Sequence, residues 1–258
     1  MSKRPRSPLG VKNSYQAESV IPAIEASAPW IRLMQQAVPF SQEVCVAGSA
    51  GTWLAEYSLL HTRPSWDPTD IDVFIMVETQ SEYETLCWDF LHSLQETLSL
   101  TDALWRTKAH RKYPHVLNVR VWVECNGSEV LCPDFSLIHS PILRKPVALM
   151  DTFDIDVCQV SVHGRAGHLC FVAHSDVRYH ILLRHLHCTM RKDPSNLQFL
   201  HPMQQTMARV TKYVQRGYVF KSLTFKPAGS NLMVADFAHV WSPQADADDS
   251  VLLAPSAV

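Results

Sequence analysis

Apolar residues follow a helical rhythm in some stretches of the chain and a strand rhythm in others. From about Ser27, a good N-cap, Trp30, Ile31, Leu33, Met34 and Ala37 share one helical face. Val44-Cys45-Val46-Ala47 is short and apolar throughout, the pattern of a buried strand. It ends at Gly48-Ser49, and a helix is expected from about Gly51 to Leu60. After turn residues near Pro64 and Pro68, the segment from Asp70 to Val77 reads as a strand, with Ile71, Val73 and Ile75 on one face. Ser81 is expected to cap a long amphipathic helix carrying Tyr83, Leu86, Cys87, Phe90, Leu91 and Leu94.

The middle of the chain reads as β-structure. Val116 to Glu124 alternates, Asn126-Gly127 is a hairpin signal, and Glu129 to Ile138 is the expected return strand. A further strand is expected from Phe153 to Val162, then a short one from Leu169 to Ala173. Ser175-Asp176 should cap a helix running through Met190. Another helix should run from Pro202 to Arg216, stopped by Gly217, before a last strand from Tyr218 to Phe225. This order predicts an α+β fold: a mixed sheet with helices packed on it. The expected organisation is a basic tail over 1–14, a core over 15–174, a helical C-terminal part over 175–241 and a second tail over 242–258.

Composition narrows the function classes. With 258 residues, 47% hydrophobic and 19% charged, the chain can bury a real core. A net charge of -2 disfavours a protein that simply coats nucleic acid. No apolar run reaches membrane-spanning length and no secretory leader is read, so a cytoplasmic or nuclear location is expected. The cluster Lys3-Arg4-Pro5-Arg6 reads first as a solvated tail and second as a nuclear-import signal. Seven cysteines with no CxxC argue against a disulfide framework.

The chemistry concentrates in Gly48-Ser49 and Asp70-Ile71-Asp72. Residues i and i+2 of a strand face the same way, so Asp70 and Asp72 point together. Side-by-side carboxylates repel, and a hard divalent cation held through oxygen relieves that repulsion. Gly48 lets backbone approach a ligand, and Ser49 offers a hydroxyl at a helix N-terminus, where phosphate is favoured. Asp154 and Asp156, expected on a later strand, share a face in the same way, and either would complete a cluster of three carboxylates. Arg209, Lys212 and Arg216 recur at helical spacing as one basic stripe, a phosphate-binding or a solvated face. His180, His185, His187 and Cys188 are read within a helix, as packed or surface side chains rather than zinc ligands.

This pattern resembles the nucleotidyltransferase superfamily of the DNA polymerase beta type. The segments Phe153 to Gln159 and Lys212 to Gly217 are also similar to poorly characterised members from fungi and large DNA viruses. The resemblance implies transfer of a nucleoside monophosphate from an NTP, ATP among them, to a hydroxyl acceptor, with Mg²⁺ or Mn²⁺ as cofactor. It implies that Asp70 and Asp72 bind both metals and that Asp154 is the third carboxylate, with Asp156 the competing choice. Gly48, Ser49, Thr52, Lys212 and Arg216 would receive the nucleotide, with Ala50-Gly51-Thr52 standing where the family has a longer Gly-rich turn. The acceptor, whether RNA, protein or a small molecule, stays open. So do two other readings: an inactive binding or scaffold module, and a carboxylate-metal nuclease.

Overall fold

A computed structural model describes residues 19–20, 29–100, 105–125, 128–143, 145–165, 168–191, 202–226 and 233–236. Both expected tails, Ser27 and Asn126-Gly127 lie outside the described residues. The strands are β1 (Ser19–Val20), β2 (Val44–Ala47), β3 (Asp70–Ile75), β4 (Trp105–Tyr113), β5 (Val116–Cys125), β6 (Ser128–Leu131), β7 (Asp134–His139), β8 (Val160–Arg165), β9 (His168–Ala173), β10 (His185–Arg191), β11 (Val219–Lys226) and β12 (Met233–Asp236). The helices are α1 (Pro29–Ala37), α2 (Gly48–Leu60), α3 (Gln80–Ser99), α4 (Pro146–Met150), α5 (Ser175–Leu183) and α6 (Met203–Gln215). The fold is α+β. A nine-stranded mixed sheet runs β1-β9-β8-β2-β3-β7-β5-β4, with β6 on β5, and a second sheet runs β10-β11-β12. In the large sheet β3 and β7 are parallel, and the other pairings are antiparallel.

β3 obeys its alternation. Ile71, Val73 and Ile75 are buried, while Asp70, Asp72 and Phe74 are half-buried on the opposite face. The apolar face continues through Phe135, Leu137, Val119 and Val121, and α3 covers it. The Tyr83 hydroxyl donates to the Leu137 carbonyl (2.9 Å), and the Phe90 and Phe135 rings sit 5.2 Å apart. The cap of α3 is Thr79, not Ser81. Its hydroxyl accepts from the Glu82 N–H (3.2 Å) and its own N–H donates to Glu82 Oε2 (3.0 Å), a reciprocal pair that sets the helix start two residues earlier.

Four other expectations give way to tertiary context. The return strand read over 129–138 is two strands, β6 and β7, separated at Cys132-Pro133. The strand expected from Phe153 does not form. Ile155 makes a lone bridge to Cys188, a 3₁₀ turn spans Asp156–Cys158, and β8 starts only at Val160. The helix expected through Met190 ends at Leu183, where Arg184 turns left-handed (φ 52°), so His185, His187 and Cys188 lie on a strand. The segment read as a helical part from 175 holds β10 and β12 besides α5, α6 and the expected last strand, β11.

Gly51 is also not part of a phosphate-binding turn. It is buried within α2, where a Cβ would stand 2.9 Å from the Val160 carbonyl oxygen. That contact is to backbone, which has no rotamer with which to yield. Overpacking at about 1–3 kcal/mol outweighs the ~0.5–1 kcal/mol gained by removing a helix-interior glycine. We expect Gly51→Ala to lower the melting temperature by several degrees, and calorimetry showing an unchanged or higher value would contradict this close helix–sheet approach.

Candidate active site

The end of β2 and the start of β3 bring the two expected motifs together. Ala47 is in register with Asp72, so the chain turning out of β2 passes over the Asp72 side chain. Gly48 makes that turn with φ +69°, and a Cβ there would lie 3.2 Å from Asp72 Oδ2. No side chain caps α2, because its N-cap residue is Ala47. The first N–H groups of a 13-residue helix therefore open beside the carboxylates. The Ser49 hydroxyl donates to Asp70 Oδ1 at 3.4 Å.

Lys212 arrives from α6. Its ammonium donates to the Thr69 hydroxyl (2.9 Å) and stands 4.0 Å from Asp70 Oδ1. The loop before Asp70 is tied to α2, since Trp53 donates to the Trp66 carbonyl (2.6 Å) and Trp66 Nε1 donates to the buried Glu56 (3.3 Å). Burial, then the neighbouring Asp70, pushes the Asp72 carboxyl up to about 7, and Lys212 only partly opposes them. The crowded pair is therefore relieved by a proton held on Asp72 where no cation is bound.

The other expected ligands stand elsewhere. Asp154 is buried and faces α6, where Thr206 and Arg209 both bond Asp154 Oδ2. Asp156 faces His180, His187 and its own turn. Neither acid sits on a strand beside Asp70, which removes the premise for either as third carboxylate. Thr52 is fully buried, bonding the carbonyls of Gly48 (3.0 Å) and Val157 (2.7 Å) and the Tyr213 hydroxyl (3.2 Å). The three residues of the basic stripe go to different partners. Arg209 pairs with Asp154, Lys212 reaches Thr69, and Arg216 is buried with its guanidinium 3.9 Å from the Trp66 ring centroid and 4.8 Å from that of Tyr213.

The acid placed beside Asp70 is Asp134. On the parallel pair β3–β7, Asp70 is in register with Asp134 and Asp72 with Ser136. Asp134 is held by Arg120, with both contacts at 3.3 Å. The sequence carried a signal for it: Asp134-Phe135-Ser136-Leu137 alternates as Asp70-Ile71-Asp72-Val73 does.

A separate set of ligand atoms lies at Asp156, His180 and His187, all within 4.8 Å of one another. Asp156 Oδ1 accepts from the N–H groups of Val157 (2.8 Å) and His187 (2.9 Å), and Oδ2 lies 2.5 Å from His180 Nδ1. His187 Nδ1 is 2.8 Å from the Ser222 hydroxyl, and burial lowers the His187 pKa. Imidazole nitrogens suit zinc and other transition metals, whereas an oxygen-only set such as Asp70, Asp72 and Asp134 suits Mg²⁺ or Mn²⁺. The two groups are therefore chemically distinct.

No family model and no curated protein matches the chain. Thirteen solved chains do. One is a Thermotoga maritima CCA-adding enzyme complexed with tRNA_CCA, at 10% identity and a TM-score of 0.43, over 80% of this chain and 43% of that one. The chain thus spans less than half the length of that structure. No helix among the described residues is long and apolar enough to cross a membrane.

Proposed function

We propose that the chain is a divalent-metal-dependent nucleotidyltransferase that moves a nucleoside monophosphate from an NTP, such as ATP, to an acceptor hydroxyl and releases pyrophosphate. The observation that carries this reading is the Gly48 turn pressed against Asp72, with Asp70 beside it and the uncapped start of α2 above. The donor set fits Mg²⁺ or Mn²⁺, because Asp72 is held half-buried with a raised carboxyl that a cation would relieve. Asp70, Asp72 and Asp134 would hold the metal. When bound, it neutralises the triphosphate and favours ionisation of the attacking hydroxyl.

The chain's own groups do the rest. The Ser49 hydroxyl and the first N–H groups of α2 receive phosphate oxygens, and Lys212 supplies a positive charge at the same edge. As the acceptor oxygen bonds the α-phosphorus, the bond to pyrophosphate breaks and the hydroxyl proton passes to Asp134. Thr52 fixes the Gly48 carbonyl, and Asp154 fixes α6 and so the height of Lys212. Thr52 and Asp154 act on nucleotide only through such positioning.

The test is incubation of the protein with α-labelled NTPs, Mg²⁺ or Mn²⁺ and mixed acceptors. We expect label transfer by the wild type and a KM for NTP about tenfold higher in Lys212→Met, the loss of one charged contact at roughly 1.4 kcal/mol. Absence of both transfer and NTP-dependent thermal stabilisation would end the reading. One observation favours a second reading, a nucleotide-binding module without turnover: Arg120 engages both oxygens of Asp134, the proposed base. That reading requires Mg²⁺–NTP to raise the melting temperature with no pyrophosphate released.

A further inference from the structure

The face of the large sheet that carries Asp70 and Asp72 does not end at those residues. Register pairs extend it in two rows. Asp70 is beside Asp134, Asp134 is bonded to Arg120, and Arg120 is directly opposite Lys108. In the next row Asp72 is beside Ser136, Ser136 opposite Asn118, and Asn118 opposite His110. Arg106 and Trp122 form a further pair on the same face. At about 4.8 Å per strand, each row covers about 14 Å from β3 to the edge strand β4.

This face is open. The helical layer of α1 and α3 lies on the other side, over Phe135 and Leu137. Arg106, Lys108, His110 and Arg120 are exposed, and Asn118, Ser136 and Trp122 are half-buried. The sequence has no acid from Trp105 to Val123, with Asp102 before this stretch and Glu124 after it. Lys108 stands directly across from Arg120, although like charges in opposed cross-strand positions repel. An edge strand gains protection against aggregation from one lysine. That need does not explain cations in successive rows that lead inward to the carboxylates.

Resting on the nucleotidyltransferase reading, we propose that this sheet face binds the acceptor, and that the acceptor is the end of a single-stranded nucleic acid. The attacking hydroxyl has to sit at Asp70, Asp72 and Asp134, so the remainder of the acceptor leaves across β7, β5 and β4. Arg106, Lys108 and Arg120 meet its phosphates there, and Trp122 offers a ring on which a base stacks. A local cationic track of this kind holds a strand end without the high overall charge of a coating protein, consistent with the net charge of -2.

The test is fluorescence anisotropy with a labelled 12-nucleotide single-stranded RNA, on the full chain, at 50 and 200 mM salt. Variants are Arg106→Glu/Lys108→Glu, the milder Lys108→Ala, and Arg32→Glu as a charge-matched control on α1, in the layer behind the sheet. We expect binding by the wild type that weakens with salt, a loss of tenfold or more in the double variant, a loss of about threefold in Lys108→Ala, and wild-type affinity in Arg32→Glu. Equal losses in the double variant and Arg32→Glu, unchanged binding by Lys108→Ala, or no RNA binding by the wild type would overturn the proposal. Competition by polyglutamate as effective as by RNA would also overturn it, in favour of an acidic protein partner. Stabilisation of the wild type by Mg²⁺–NTP is measured in parallel. It reads the nucleotide site alone, so a failure of the enzyme reading and a failure of this surface give different results.

Discussion

Asp72→Asn is expected to melt several degrees higher than the wild type at pH 8 in metal-free buffer, while losing nucleotidyl transfer by at least a hundredfold. The reason lies in the position of Asp72, half-buried under the Gly48 turn and beside Asp70. Its folded-state carboxyl titrates near 7 against 3.8 for the ordinary group. The folded protein therefore binds this proton more tightly than the unfolded chain does. Between about pH 4 and 7 the folded state holds more protons, so stability falls as pH rises through that window and levels off above it. The shift sets an upper bound of about 4 kcal/mol, and the side chain's partial solvent contact reduces the expected cost to roughly half. Asn keeps the shape without the charge, so the advantage of the variant should be absent near pH 4 and complete by pH 8. Mg²⁺ needs the ionised carboxylate and should stabilise the wild type more at pH 8 than at pH 6, with little effect on the variant. Melting curves in which the variant is less stable at every pH would refute this account of the site.

The largest loss of stability is expected from Glu56→Ala. Glu56 is fully buried in α2, where it takes an ion pair from Arg184 and hydrogen bonds from the Tyr218 hydroxyl (3.0 Å) and Trp66 Nε1 (3.3 Å). Arg184 in turn donates to the Arg216 carbonyl (3.1 Å). Removing Glu56 strips Tyr218, Trp66 and the one-third-exposed Arg184 of their shared acceptor, at about 3 kcal/mol, the low end for a buried pair. At roughly 2–4 °C per kcal/mol for a chain of this size, a fall of about 10 °C is expected. Glu56→Gln, which keeps two hydrogen bonds, should lose less than half of that. Equal losses in both variants would mean that the cavity rather than the charge network decides the effect.

The β2–β3 part of the candidate site was legible in the sequence because local pattern and tertiary need agree there. Val44 to Ala47 is apolar enough to be buried on both faces, and the β3 alternation separates core from carboxylates without help from distant residues. The remainder depended on partners far along the chain. The sequence Phe153-Asp154-Ile155-Asp156-Val157 mimics a half-buried strand, but its acids are claimed by Thr206 and Arg209 on one side and by His180 on the other. Asp134 was merged into a longer return strand, and only the parallel register with β3 brings it beside Asp70. β4 has exposed residues on both faces and so no apolar rhythm to find. The stop after α5 is made by an arginine in a left-handed conformation, a position usually marked by glycine.

The contact between Lys212 and Thr69 joins residues 143 positions apart. During synthesis the carboxylate strand and its glycine turn emerge long before the helix that supplies the lysine. Closing so distant a pair is slow compared with forming the hairpins between them. The nascent chain therefore passes through a stage in which Asp70 and Asp72 are set and their cation is still missing. On the proposed reading, nucleotide affinity is acquired late in the life of each molecule, after the sheet that displays it.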